Sequence, residues 1–174
     1  SPRYAMSFAA ICVAVGLIML PKPNDPVLTY YSTQTGEIKT IALSDNSEII
    51  LGPKSKISTS ISDIERSVNL ITGEAFFDVA KDRQKPFFVT TDNVSVEVVG
   101  TQFNVQKIGS AVSVAVLEGI VNVFGQGGKV SQSATLPAVV LTAGQKVIKA
   151  RDLAFESVLA VPGSDLAAWR LGRL

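Results

Sequence analysis

The sequence contains no histidine and only one cysteine, Cys12. Without histidine, the chain lacks the commonest general base and the commonest zinc ligand found in proteins. Cys12 has no second cysteine with which to form a disulfide, and it falls within an apolar run where a reactive thiolate is not expected. These absences exclude most nucleophilic and metal-dependent enzymes, and they predict no cofactor site and no metal site.

The chain also lacks an excess of charge of either sign. It carries 16 Lys and Arg residues against 15 Asp and Glu residues, for a formal net charge of +1. Proteins that bind nucleic acid usually present a basic patch that neutralises phosphates and releases their counterions. The composition indicates no such patch, so nucleic acid is not predicted as a partner.

Paired carboxylates are the remaining catalytic device, and Glu74 and Asp78 form the best pair. On a strand, residues four positions apart share a face but are separated by about 13 Å at 3.3 Å per residue. The two carboxylates of a glycosidase are roughly 5–9.5 Å apart. We therefore predict structural roles for this pair and no catalytic residue. A sugar hydrolase that uses Glu74 and Glu118 is the weakest of the functional alternatives.

One long apolar run, residues 4–20, opens the chain and contains no charged residue, with Arg3 and Lys22 on either side. Its length is at the short end of the roughly 17–25 residues that cross a bilayer, so we predict a transmembrane helix with its flanks over residues 1–22. A cleavable signal peptide is the alternative. The run is longer than the apolar part of a signal peptide, and residues 20–23 offer no small-residue cleavage site.

Prolines separate this run from the remainder of the chain. Pro21, Pro23 and Pro26 stop any helix and predict an extended linker over residues 23–28. Beyond it, apolar residues alternate with polar ones in short runs broken by turn residues, at residues 44–47, 52–53, 81–85 and 125–128. The inward-facing residues predicted by this alternation are Val68, Leu70, Ala75, Phe77, Val79, Phe87, Val89, Val94, Val96, Val98, Phe103, Val105, Val112, Val114, Val116, Val121 and Val123.

This pattern predicts an all-β domain over residues 29–150, either an antiparallel sandwich or a short solenoid-like stack. A weak internal repeat suggests the solenoid. In it, Gly36, Gly73 and Gly119 each lie beside a glutamate, and Gly144 lies beside a glutamine. We expect Gly73, Gly100 and Gly119 to supply turns or bulges with positive φ rather than ligand contacts.

Gln102 and Asn104 alternate with apolar residues after the predicted turn at residues 100–101. They could form a recognition edge, but a strand whose polar face lies in solvent is the better explanation.

Four sequence blocks follow one another in the chain: residues 73–80 (GEAFFDVA), 85–89 (KPFFV), 98–105 (VVGTQFNV) and 116–123 (VLEGIVNV). In this order they resemble the FecR family of transmembrane anti-sigma regulators. The similarity extends to the turn at residues 43–47 (LSDNS) and to residues 141–145 (LTAGQ), so it covers about residues 29–150. Residues 169–174 (WRLGRL) are similar to the motif that leads from the family's β domain into its C-terminal partner-binding region.

The resemblance implies a single-pass protein of the bacterial inner membrane with its β domain in the periplasm. In this family, a cytoplasmic domain holds an extracytoplasmic-function sigma factor. The periplasmic part senses a TonB-dependent outer-membrane transducer, often for iron-siderophore uptake. We expect residues 151–174 to be the start of the C-terminal signalling region and the chain to be a fragment of a longer protein. Its expected function is therefore signal relay without chemistry of its own; the alternative is a membrane-anchored structural or carbohydrate-binding β domain of the envelope.

Overall fold

A computed structural model of the protein describes residues 28–125, 138–150 and 153–171. These residues form an all-β fold, as predicted, that ends in one short 3-10 helix at Ala168–Leu171. The strands are β1 (Leu28–Ser32), β2 (Lys39–Ala42), β3 (Glu48–Leu51), β4 (Lys56–Ile61), β5 (Arg66–Asp78), β6 (Phe87–Thr90), β7 (Val94–Val98), β8 (Gln102–Ile108), β9 (Ala111–Glu118), β10 (Ile120–Gly125), β11 (Val139–Thr142), β12 (Gln145–Lys149) and β13 (Leu159–Ala160).

The predicted inward-facing residues are confirmed. Every one of the alternating apolar side chains named above belongs to a single buried cluster. The cluster is completed by residues such as Ile49, Leu51, Ile57, Leu141 and Val147. Period-two alternation therefore located the core of this domain correctly, because successive side chains of a strand point to opposite faces.

All the strands join one hydrogen-bonded sheet, and β5 is its central member. The first half of β5 pairs with β4 and β6, whereas its second half, from Gly73 onward, pairs with β3 and β8. The sheet therefore has two halves that share this strand. Half A has the order β1-β4-β5-β6-β7-β10-β11, and half B has the order β2-β3-β5-β8-β9-β12-β13.

The two ends of β5 approach each other. Arg66 begins the strand, and its Nη1 donates to the carbonyl of Ala80, two residues beyond the end of the strand, at 2.9 Å. If the strand were straight, the Cα atoms of Arg66 and Asp78 would be about 40 Å apart at 3.3 Å per residue. The strand therefore bends strongly, and the sheet curls into a half-barrel around the core.

This curl also explains an exception to the predicted antiparallel order. After β5, residues 79–86 return the chain to the start of the same strand, where β6 pairs with it in parallel, Arg66 opposite Phe87. Phe77 of half B is stacked on Phe103 at 5.0 Å between ring centroids and meets Phe87 of half A edge-on at 6.3 Å. The two halves thus share one core, as in a sandwich, but they belong to one continuous curled sheet.

Glycines allow the sharpest changes of direction. Gly73, Gly100 and Gly119 all have positive φ, as predicted. At Gly73 the backbone passes so close to the residue before β4 that an added Cβ would lie 2.6 Å from the Cα of Ser55. The four glycines that suggested a solenoid occupy unlike positions: Gly73 lies in the middle of β5, whereas Gly36, Gly119 and Gly144 lie in three connections of different length between strands. They do not mark a repeating coil.

Three predicted features lie outside the described residues: the transmembrane helix at residues 1–22, most of the linker at residues 23–28 and most of the turn at residues 125–128. Within the part of the chain that is described, no helix is long and apolar enough to cross a membrane. The predicted turns at residues 44–47, 52–53 and 81–85 all connect strands.

Candidate functional site

A row of carboxylates and amides crosses the outward side of half B. The side chain of Asn104 donates from Nδ2 to Oε1 of Glu74 at 2.7 Å, and Gln106 donates from Nε2 to Oε2 of the same glutamate at 3.1 Å. Further along the same two strands, Gln102 donates to Asp78 at 3.0 Å. The two carboxylates that sequence reasoning considered as a catalytic pair are therefore each held by amide groups of β8. Both serve as cross-strand acceptors.

Part of this outward side is nevertheless buried. Phe76, Asn104 and Ala115 are 2%, 8% and 5% exposed, although their positions alternate with the core residues of their strands. Residues 161–171, which we call the C-terminal segment, cover them. Its Leu166 and Ala167 are buried in turn. The expectation that the polar face at Asn104 lies in solvent is therefore wrong.

The C-terminal segment is fixed to the sheet at its start by backbone hydrogen bonds. β13 pairs with β12, and directly after it the N–H of Val161 donates to the carbonyl of Gly144 at 2.8 Å. Two tight turns follow, in which Asp165 N–H bonds to Pro162 and Arg170 N–H bonds to Ala167. The segment then crosses half B toward β3.

Trp169 and Arg170 dock the far end of the segment. The guanidinium of Arg170 lies 4.1 Å from the ring centroid of Phe76. The indole of Trp169 packs over Gly52, where an added Cβ would be 3.4 Å from its ring atoms. A cation over an aromatic ring contributes about 0.5–2 kcal/mol, depending on its desolvation. These contacts join the C-terminal segment to β5 and to the end of β3.

A cavity of about 250 Å³ lies between the C-terminal segment and the sheet. The sheet contributes side chains from β5, β8, β9 and β12, and the segment supplies the opposite wall. The lining residues are Glu74, Asn104, Gln106, Ser113, Ala115, Lys146, Val161, Asp165, Leu166, Ala167 and Trp169.

Two polar atoms of the cavity lining are buried without a hydrogen-bond partner, Oδ1 of Asn104 and Nε1 of Trp169. The first can only accept a hydrogen bond and the second can only donate one. Among the described residues, no cluster of three or more His, Cys, Asp or Glu side chains is arranged to hold a metal ion. The site therefore offers hydrogen bonding and charge as its means of recognition.

Sequence reasoning missed this site because its parts are far apart in the chain. It named Glu74 and Asn104 separately and assigned Trp169 to the start of a signalling region. Their meeting depends on residues 161–171 crossing the sheet. One residue in the sequence could have indicated the site. Phe76 is an aromatic side chain at an outward-facing position of β5, and a side chain of this kind is usually buried by another part of the protein.

The fold and the site together define a curled all-β module that carries its own C-terminal extension on one face. The sequence model of the FecR protein family matches residues 29–122, more than half of the 174 residues. The chain belongs to the FecR protein family, as the sequence blocks indicated.

Solved structures with a similar fold come from Parabacteroides distasonis ATCC 8503. One crystal structure of a candidate anti-sigma factor has 28% sequence identity and a TM-score of 0.69, and the match covers 82% of this chain and 64% of that one. A second, of a protein described in the same way, has 26% identity and a TM-score of 0.69, with coverage of 81% and 64%. This chain thus corresponds to about two thirds of each. Among curated proteins, none matches significantly.

Proposed function

We propose that this chain is the signal-relay part of an anti-sigma regulator. In this proposal the longer protein spans the bacterial inner membrane through residues 4–20 and exposes the β domain to the periplasm. A TonB-dependent outer-membrane transducer binds beyond residue 171, and a cytoplasmic region controls an extracytoplasmic-function sigma factor. Membership of the FecR family and the similarity to candidate anti-sigma factors support this role. Such a role is regulatory, not enzymatic.

The observation that carries the proposal is the docking of the C-terminal segment on the domain that precedes it. Residues 161–171 lie immediately before the position where the partner-binding region is expected, and they pack on half B through Leu166, Trp169 and Arg170. A partner that pulls on or reorients the following chain acts directly on these contacts. The β domain and the partner region are therefore mechanically coupled.

The strength of the docking suits a reversible switch. It consists of one cation-π contact, worth about 0.5–2 kcal/mol, and the burial of a few apolar side chains at about 1.5–3 kcal/mol each. A binding partner whose affinity for the released state exceeds its affinity for the docked state by a similar free energy would reverse the docking.

The proposal is tested with the full-length regulator in cells that carry a reporter for the sigma factor it controls. Arg170→Gln removes the cation over Phe76, and Arg83→Gln, an exposed arginine in a loop, is the matched control. We expect Arg170→Gln to reduce the ratio of induced to uninduced reporter signal, and Arg83→Gln to leave it unchanged. Deletion of residues 28–150 should abolish the response.

The proposal fails if the ratio is the same in all three variants while each accumulates in the membrane fraction at the level of the unmodified protein. A protease-protection assay on spheroplasts tests the topology separately. Cleavage within the β domain is expected only when the outer membrane has been opened. Protection of the domain in spheroplasts would place it on the cytoplasmic side and overturn that part of the proposal.

A further inference from the structure

One end of half A presents large apolar side chains to solvent. Leu28 begins β1, Ile64 lies in the β4-β5 hairpin and Ile120 begins β10, and they are 58%, 72% and 59% exposed. Leu28 lies opposite Ser60, next to that hairpin. On the other side of the hairpin, β6 starts beside Arg66, β7 runs back toward it, and β10 starts beside the end of β7. All three side chains therefore lie at one end, which we call the entry end because β1 begins there.

These side chains form a row along the end of the half-sheet. Six neighbouring strands lead from β1 to β10, a width of about 24 Å at 4.8 Å between strands. Val99, which is 36% exposed, follows β7 within this row, and Tyr30, which is 62% exposed, shares the outward side of β1 with Leu28. Single exposed apolar residues are common on protein surfaces, whereas several that share one end indicate a surface for contact.

The length of chain before Leu28 indicates which surface the row meets. Only residues 21–27 separate Leu28 from the apolar run at residues 4–20. Even fully extended, these seven residues span at most about 25 Å. In the proposed function the apolar run crosses the bilayer, so the entry end stays within this distance of the membrane surface. A short tether raises the effective concentration of the two surfaces, so that even a weak contact is occupied.

The charges of the entry end balance. The two loops next to the start of β5, residues 62–65 and 81–85, contain three basic and three acidic side chains. A surface of balanced charge is neither strongly attracted to a charged layer of headgroups nor repelled by it. Contact with a bilayer would therefore depend on the apolar side chains, which are stabilised when they leave water.

We propose that the entry end of the β domain lies on the surface of the bilayer, with its exposed apolar side chains inserted among the lipid headgroups. This inference rests on the proposed function, because it requires residues 4–20 to span the membrane. It adds an interaction surface to that function: the lipid bilayer is a second partner of the β domain, and Ile64 and Ile120 are its main contacts.

The consequence of this contact is a fixed orientation of the domain. Both ends of β5 lie at the entry end, so the bend of the strand at Gly73 lies at the opposite end. The C-terminal segment reaches this opposite end, because Trp169 packs over Gly52, whose N–H donates to the carbonyl of Glu74. Contact of the entry end with the bilayer therefore directs the last described residues away from the membrane, toward the side where the proposed transducer binds.

The test uses the full 174-residue chain in vesicles of phosphatidylethanolamine and phosphatidylglycerol. A fluorophore is attached to one cysteine in a Cys12→Ser background. This cysteine is either Gln84→Cys at the entry end or Ser110→Cys in the β8-β9 hairpin at the opposite end, and both positions are exposed. Lipids that carry a spin label near the headgroup quench a fluorophore close to the bilayer surface. We expect quenching at least about twofold stronger at position 84 than at position 110, because interfacial groups lie within about 5–10 Å of the headgroup boundary.

Substitution of the apolar residues tests what holds the contact. Ile64→Ser and Ile120→Ser together should lower the quenching at position 84 to the level at position 110. Ile108→Ser is the matched control, because this isoleucine is 68% exposed but ends β8 at the opposite end, and it should leave the quenching unchanged. Sodium chloride at about 1 M, which shortens the Debye length to about 3 Å, should not reduce the quenching. Circular dichroism of each reconstituted variant confirms that the strands are formed.

Extraction with alkaline carbonate shows separately whether the chain spans the bilayer. If the chain is retained but positions 84 and 110 are quenched equally, the domain stands away from the bilayer, and this inference is overturned while the proposed relay remains. Quenching that high salt abolishes, or an equal loss of quenching in Ile108→Ser, overturns the apolar contact. Release of the chain by carbonate would overturn both this inference and the membrane topology in the proposed function.

Discussion

Arg66 and Asp45 form a buried ion pair, with Nη1 of the arginine 3.1 Å from Oδ2 of the aspartate and side chains that are 1% and 7% exposed. Arg66 begins β5, and Asp45 lies in the turn between β2 and β3. The same guanidinium donates to the backbone carbonyls of Ala80, Asp82 and Lys85. One side chain thus joins the start of β5 to a turn of half B and to the connection that returns the chain to half A.

Replacement of Arg66 by Met is therefore expected to destabilise the domain strongly. It leaves Asp45 as a buried charge without its cation and frees three carbonyl groups, and the loss of one partner of a buried pair costs about 3–5 kcal/mol. Urea unfolding followed by circular dichroism measures this loss. Arg83→Met, at an exposed position of the same connection, should change the unfolding free energy by less than about 0.5 kcal/mol. Equal effects of the two substitutions would contradict the role given to Arg66.

Gly73 is expected to tolerate no side chain. Its φ is +88°, and an added Cβ would meet the backbone and side chain of Ser55. Gly73→Ala should lower the unfolding free energy by about 2–5 kcal/mol, the sum of left-handed strain and overpacking. Gly36→Ala is the matched control, because Gly36 has a φ of +75° but nothing within 4 Å of the added Cβ. Gly36→Ala should lower the unfolding free energy by about 1–2 kcal/mol, because it adds left-handed strain without a steric clash. A similar loss at both positions would remove the argument for a close approach at Ser55.

Thr101 offers a prediction of opposite sign. Its hydroxyl is buried without a hydrogen-bond partner, so Thr101→Val keeps the shape of the side chain and removes an unsatisfied polar group. We expect a gain of about 1 kcal/mol in the free energy of unfolding. Thr33 is equally buried, but its hydroxyl donates to Gly52 at 2.6 Å and accepts from the N–H of Ser55 at 3.0 Å. Thr33→Val should therefore lower the free energy of unfolding by about 1–3 kcal/mol. Thermal melting of the two variants side by side decides the matter, and destabilisation by Thr101→Val would refute the prediction.

Asp82 should contribute to the sensitivity of the domain to acid. The backbone N–H of Gln84 holds the pKa of this carboxyl below its usual value of 3.8, with help from the N–H of Lys85 and the charges of Arg66 and Lys85. Because the folded pKa is lower than the unfolded one, the stabilisation is present above about pH 3.8 and is lost as the pH falls through the folded pKa. Asp82→Asn should thus lose less stability than the unmodified chain between about pH 4 and pH 2.5. The urea midpoints of the variant and of the unmodified chain, measured across this pH range, test the prediction. If the two midpoints fall in parallel, Asp82 does not contribute to the acid sensitivity.

The alternation of apolar and polar residues was sufficient to predict the all-β class and the inward-facing residues. This is a local property: the side-chain period of a strand is two, so residues such as Phe77 and Val105 show their buried face in the sequence itself. The turns at residues 44–47 and 81–85 could be predicted for the same reason, since turn chemistry depends on a few neighbouring residues. The sequence blocks were enough to identify the family.

Only the tertiary structure decided which elements meet. Alternation does not specify a strand's partner, so the sharing of β5 between two half-sheets and its parallel pairing with β6 could not be predicted. The ion pair of Arg66 with Asp45 depends on that curl, which brings the ends of one strand together. The polar face of half B is covered for a similar reason, because Trp169 reaches Gly52 only after residues 161–171 cross the strands of this half-sheet. Contacts between residues so far apart in the chain are set by the free energy of the whole packed domain, and no local pattern records them.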